Sequence, residues 1–205
     1  MSRVLVLFAH PALEKSRVHR HMVAAVPQVD GITFHDLYEA YPRMDVDVDR
    51  EQRLLLEHDV VVFQFPFYWY STPPLLKQWQ DLVLVHGWAY GSTGTALEGK
   101  ALLCAVSTGG REEAYHPEGY NRFTVRQLMA PLERTAKLCG MRFLPPWVVY
   151  GTHRLGDEGL ALAARGYGAL LRGMVAGRLE EVGDAVGDLD HLNAVVSGWT
   201  AGGDA

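Results

Sequence analysis

Cysteine is nearly absent: Cys104 and Cys139 are the only two in 205 residues. Cys104 lies in an apolar run and Cys139 near an expected helix end, with no C-x-x-C and no flanking histidine. A disulfide framework is therefore excluded, and both read as reduced packing residues. Long hydrophobic runs are missing as well. Ser2-Arg3 leads straight into VLVLFA, too short for the apolar core of a signal peptide, and no later stretch reaches the length of a membrane span. A soluble, cytoplasmic protein without direct membrane insertion is expected. Positive charge is also in short supply. Lys and Arg number 19 against 24 Asp and Glu, a formal net charge of −5, and nothing forms the basic stripe that nucleic acid or an anionic membrane requires. Neither is an expected partner. The imbalance sits at one end: residues 1–175 hold 18 charges of each sign, whereas 176–205 hold Arg178 against Glu180, Glu181, Asp184, Asp188, Asp190 and Asp204.

What is present suffices for one globular domain over residues 1–175, since the chain is 48% apolar and 21% charged. Arg3 to Ala9 reads as a first buried strand, followed by a loop and a helix from Ser16, a plausible N-cap, to Val26. Ile32 to Asp36 makes a second strand, Arg50 to Glu57 a short helix, Val60 to Phe63 a third strand, and Pro74 to Leu84 a helix with two prolines at its start. Ala101 to Ser107 is the fourth strand, Thr124 to Leu138 a helix, Phe143 to Tyr150 a fifth strand broken by Pro145 and Pro146, and Gly156 to Met174 a closing helix. Strict alternation of strands and helices predicts an α/β fold, a doubly wound five-stranded parallel sheet with helices on both faces. In residues 176–205, Leu179, Val182, Val186, Leu189, Leu192 and Val196 keep near-helical spacing while Gly183 and Gly187 oppose it. That acidic tail is either a helical, partner-seeking arm or disordered.

Three loops follow strand carboxyl ends and would converge at the switch point of a flavodoxin-like strand order. Taken singly, each has a bland reading as an ordinary cap, packing ring or turn. His10 to Ser16 delivers a helix start, with free N–H groups suited to a phosphate. Phe65 to Pro74 presents Phe65, Phe67, Tyr68, Trp69 and Tyr70 within six positions, the make-up of a flat-ligand site. In Ser107-Thr108-Gly109-Gly110 the glycines let backbone N–H groups approach a planar ring, and Tyr115 stands five residues beyond; His116, before Pro117, reads as a loop histidine. Other motifs fail on context. GTALEGKA at 94–101 lacks the magnesium-ligating hydroxyl of a P-loop and precedes a strand. His19 and His21, two apart on a helix, cannot clamp one metal, and Asp45, Asp47 and Asp49 read as a solvated connection. No metal site is supported.

These residues resemble a known family. AHP at 9–11 with Ser16 following, HDLYEAYP at 35–42, QFPFYWYSTPPLLKQWQD at 64–81, HGWAYG at 86–91 and STGG at 107–110 are similar to the flavodoxin-like NAD(P)H:quinone oxidoreductases, and within them to the ancillary flavoproteins of the glutathione-gated potassium-efflux (Kef) system. The resemblance covers roughly residues 3–154. It implies a two-electron reductase holding FMN, or FAD in some relatives, that carries hydride from NAD(P)H to a quinone or related electrophile in a ping-pong cycle. A homodimer completing the site is also implied. The alternative is a regulatory subunit docked on a membrane antiporter, peripheral at the inner membrane through that partner. Position by position, His10, Ser16, Arg17, Val18 and His19 would hold the phosphate and ribityl end, Pro66, Phe67, Tyr68 and Trp69 one side of the ring system, and Ser107, Thr108, Gly109 and Gly110 its pyrimidine edge. Tyr115 matches the catalytic tyrosine. One departure stands out: relatives with full quinone reductase activity carry a histidine six residues after that tyrosine, where this chain has Asn121.

Overall fold

Val4–Phe8 (β1) consists of five consecutive apolar residues, all buried, because both faces of the strand are covered. It pairs in parallel with Ile32–Asp36 (β2) on one side and Val60–Pro66 (β3) on the other, with Val6 opposite Phe34 and Val62. β3 in turn pairs with Ala101–Ser107 (β4), giving the order β2-β1-β3-β4. The fifth position is shared by two short strands, Arg142–Phe143 (β5) and Trp147–Val149 (β6), both parallel to β4. Leu144-Pro145-Pro146 separates them, as the expected break requires, since proline has no N–H to offer the ladder. The computed structural model describes residues 1–27, 30–178 and 189–201.

Alternate strand residues serve different cores. Leu5, Leu7, Val61 and Phe63 face Val48–Leu56 (α3), Pro74–Val83 (α4) and Ala130–Leu138 (α6), while Val4, Val6, Val60 and Val62 face Arg17–Ala24 (α1) and Asp157–Val175 (α7). Four local features differ from the sequence reading. Leu37–Ala40 (α2) is a single helical turn capped by the Asp36 carboxylate, which accepts from the N–H groups of Tyr38 and Glu39. Asp47, expected in a solvated connection, is the N-cap of α3 and accepts from Arg50 N–H at 3.0 Å. The helix expected over 124–138 is two: Val125–Leu128 (α5), capped by a reciprocal Thr124–Gln127 box, and α6, where Pro131 occupies an opening position that needs no N–H donor.

The fourth concerns the C-terminal region. Leu192 and Val196 are buried in the second core, and the Asn193 side chain brackets the outer edge of β6, accepting from Val148 N–H at 3.0 Å and donating to its carbonyl at 2.7 Å. Asn193–Ala201 (α8) lies against α7, where a Cβ at Gly173 would stand 2.4 Å from the Trp199 ring. The apolar positions Leu179, Val182 and Val186 with Gly183 and Gly187 lie outside the described residues. No helix among the described residues is long and apolar enough to cross a membrane.

Candidate functional site

β1, β3 and β4 run in the same direction, so their carboxyl-end loops meet at one edge of the sheet. They enclose a cleft of about 330 Å³, within the range of small-molecule sites. His10, Ser16, Arg17 and Val18 line it from the first loop, Pro66, Phe67 and Tyr68 from the second, and Ser107 and Gly109 from the third. Lys15, Thr152 and His153 also line it and were not anticipated. Thr152 and His153 follow β6 and reach the cleft only because that strand pairs with β4. Five expected residues stand outside the lining. His19 is fully buried beneath it, and Thr108 is buried with its hydroxyl donating to Gly110 O at 2.9 Å. Gly110 lies under the Tyr115 ring, where a Cβ would come within 3.0 Å of it, and Tyr115 itself is buried against Tyr150. Trp69 turns outward.

The walls are rich in donors. Ser16 caps α1 by accepting from His19 N–H at 3.1 Å. The N–H groups of Arg17 and Val18 have no carbonyl partner within the helix, as in any first turn, and Lys15 and the half-exposed Arg17 add positive charge beside them. His10 Nδ1 accepts from Ala12 N–H at 3.1 Å, which places the proton of the neutral ring on Nε2. Burial depresses the His10 pKa despite the nearby Glu14, keeping the ring neutral. Gly109 and Gly110 fall past the end of β4, and a Cβ at Gly109 would sit 3.0 Å from His153 Nε2, so the backbone there is bare toward the cleft. A ligand with many acceptor atoms, an anionic end and a flat body fits this chemistry. A phosphorylated flavin has all three.

The rim carries strain. Trp69 and Tyr70 occupy left-handed backbone, φ 52° and 60°, at the two central positions of a turn closed by Ser71 N–H donating to Tyr68 O at 3.0 Å. That pattern belongs to type I′ turns, which asparagine and glycine usually fill. Here two aromatics do, and Trp69 is 94% exposed. Tyr70 donates to Asn121 Oδ1 at 3.0 Å, which joins this turn to the loop bearing exposed Tyr120 and Phe123. Left-handed backbone costs a bulky residue roughly 1 kcal/mol, and the exposed Trp69 ring recovers none of it by packing. Trp69→Asn is expected to leave the melting temperature unchanged or raised; thermal melts of the two proteins check this.

A parallel 2-1-3-4-5 sheet with a donor-lined cleft at its switch point defines a doubly wound protein with the cleft where such folds bind ligands. The chain belongs to the flavodoxin-like fold family, whose profile matches residues 2–171. Among its relatives, the uncharacterized NAD(P)H oxidoreductase YrkL of Bacillus subtilis is 50% identical over 156 residues, covering 76% of this chain and 90% of that protein. The glutathione-regulated potassium-efflux system ancillary protein KefG of Pectobacterium carotovorum is 44% identical over 169 residues, covering 82% and 92%. Two solved structures are similar. General stress protein 14 of Treponema denticola, in complex with FMN, superposes with a TM-score of 0.80 at 42% identity, covering 84% of this chain and 99% of that one. An NADPH-quinone reductase from P. pentosaceus gives 0.74 at 35% identity, covering 82% and 96%.

Proposed function

We propose that the protein is an FMN-dependent NAD(P)H:quinone oxidoreductase. The cleft carries the reading: its donors converge at the switch point of a fold that, in a relative 42% identical, holds FMN. When bound, the flavin supplies two-electron chemistry between NAD(P)H and a quinone or similar electrophile. The chain supplies the rest. The α1 amino terminus with Arg17 and Lys15 would hold the phosphate, Pro66 to Tyr68 would flank the ring, and Ser107 and the two glycines would offer it donors. Tyr115 Oη would supply a proton to the chemistry, and its burial against Tyr150 would exclude water.

The exposed aromatics of the rim support a homodimer in which a second protomer covers the cleft mouth. Tyr68, Trp69, Tyr70, Tyr120 and Phe123 each expose about half of their surface or more, and the Tyr70–Asn121 hydrogen bond makes them neighbours. Purified protein is expected to be yellow, to release FMN on heating, and to elute at about twice 22.8 kDa. A colourless protein that takes up neither FMN nor FAD at micromolar concentration would end this reading. The likeness to KefG favours a second role, docking on a potassium-efflux antiporter. Efflux measured with and without the protein, alongside NADPH oxidation with menadione, separates the two: turnover without any effect on efflux removes the regulatory role.

A further inference from the structure

A file of buried polar groups runs along the α1/α7 face of the sheet to the cleft. Tyr167 on α7, fully buried against Trp147, donates to Gln64 Oε1 on β3 at 2.7 Å. Gln64 Nε2 lies 3.5 Å from His19 Nδ1 on α1, and His19 Nε2 lies 2.9 Å from Ser107 Oγ at the end of β4. Only Ser107, 7% exposed, reaches the cleft; the other three have no exposed surface. An amide, a neutral imidazole and a serine hydroxyl can each reverse their hydrogen bonds, so the file has two possible senses.

Tyr167 decides between them. Its hydroxyl carries one proton, and Gln64 Oε1 accepts it. Turning the amide round would leave that buried O–H without an acceptor, at a cost of about 1–3 kcal/mol. With Oε1 committed, Gln64 offers His19 an N–H, so His19 Nδ1 must accept and the ring proton must sit on Nε2. Burial first, and the neighbouring His10 second, hold the His19 pKa down to about 3, so a second ring proton never confuses the assignment. Nε2–H then donates to Ser107 Oγ, and the serine's own proton is left for the cleft.

We propose that Tyr167, acting through Gln64 and His19, fixes the Ser107 hydroxyl as a donor, so that this wall selects a ligand that places an acceptor atom there, such as a carbonyl oxygen, ring nitrogen or phosphate oxygen. Tyr167 and His19 are thus positioning residues. The inference rests on reading the cleft as the flavin site only for the identity of that ligand, and the sense of the relay is readable without it.

The test is a long-range ¹H–¹⁵N spectrum of histidine-labelled protein, apo and with FMN, with His19 signals identified by their loss in His19→Asn. An unprotonated Nδ1 and a protonated Nε2 are expected in both states. Tyr167→Phe should mix or reverse the tautomer and weaken FMN binding about tenfold, the effect of one hydrogen bond. That loss should vanish when Ser107→Ala is already present, because the two changes remove the same donor. A protonated Nδ1 in the unaltered protein would overturn the proposal, as would equal losses from Tyr167→Phe with and without Ser107. The expected tautomer in a protein that fails to bind FMN would support the relay and sink the flavin reading, so the two failures are distinguishable.

Discussion

Glu51→Ala is expected to cost about 3–5 kcal/mol, since it leaves several buried donors without their acceptor at about 1–3 kcal/mol each. Its carboxylate, on α3, is fully buried and gathers three partners: His35 Nε2 at 2.8 Å, the Tyr41 hydroxyl at 2.5 Å and Trp79 Nε1 at 2.8 Å. These come from β2, the residue after α2, and α4, so one carboxylate ties a strand, a turn and a second helix to α3. Alanine would leave the tyrosine and tryptophan donors buried and unpaired. The melting temperature should drop on the order of 10 °C for a chain of this size, with bound flavin lost in the same transition. Burial alone would raise the Glu51 pKa, but the hydrogen bonds from His35, Tyr41 and Trp79 outweigh it and hold the carboxyl below the usual 4.5. A folded-state value below the unfolded one means that the contribution is complete above about pH 4.5 and fades as pH falls through the folded value. Urea unfolding at pH 7 and at pH 4 checks the sign: the unaltered protein should lose stability between them, and Glu51→Gln should lose less. Equal pH slopes would show that the carboxylate contributes nothing by its charge.

Glu51 also shows where sequence reading stops. On α3 it stands among Asp49, Arg50 and Arg53 and looks like any solvated helical charge, because its partners lie 10 to 28 positions away. His19 is the same case. The family resemblance places it against the phosphate and ribityl end, whereas it lies buried beneath the cleft through Gln64 and Ser107, 45 and 88 positions distant. Strands were legible for the opposite reason. Val60–Pro66 and Ala101–Ser107 are nearly free of polar residues, so local composition alone marks a strand covered on both faces. Helix starts with a local chemical signature, Ser16 and Pro73-Pro74, fell within a residue of their true positions. Asp47 carried such a signature too, but two neighbouring aspartates masked it. The three carboxyl-end loops were identifiable as a converging set because alternation implies parallel strands and the flavodoxin-like resemblance implies their order. The contribution of Thr152 and His153 was not, since it depends on the pairing of β6 with β4.

Tyr115→Phe is expected to lower turnover about 100-fold, the lower end for loss of a positioned proton donor, while flavin stays bound. The ring is held on both sides: Gly110 leaves only enough room beneath it for a hydrogen, and Tyr150 packs at 5.8 Å. Phenylalanine keeps both contacts, so the fold and the cleft should survive and only Oη is lost. Burial pushes the Tyr115 pKa above its ordinary 10.0, against the lowering influence of a hydrogen bond with the Thr108 side chain. The hydroxyl therefore keeps its proton through the neutral and mildly alkaline range, as a donor must. The sign of the pH effect follows: this group should cause no decline in rate until pH passes the usual phenol value, and Tyr115→Phe should lower the whole plateau without moving its limbs. Asn121 cannot replace the residue, because it accepts from Tyr70 and has no proton that titrates in this range. If Tyr115 acts alone in this way, Asn121→His should restore nothing to the Phe variant, whereas an Asn121-dependent relay would show partial recovery. Unchanged kinetics in Tyr115→Phe, with flavin content equal to that of the unaltered protein, would remove the tyrosine from the chemistry and leave it as the lid of the glycine turn.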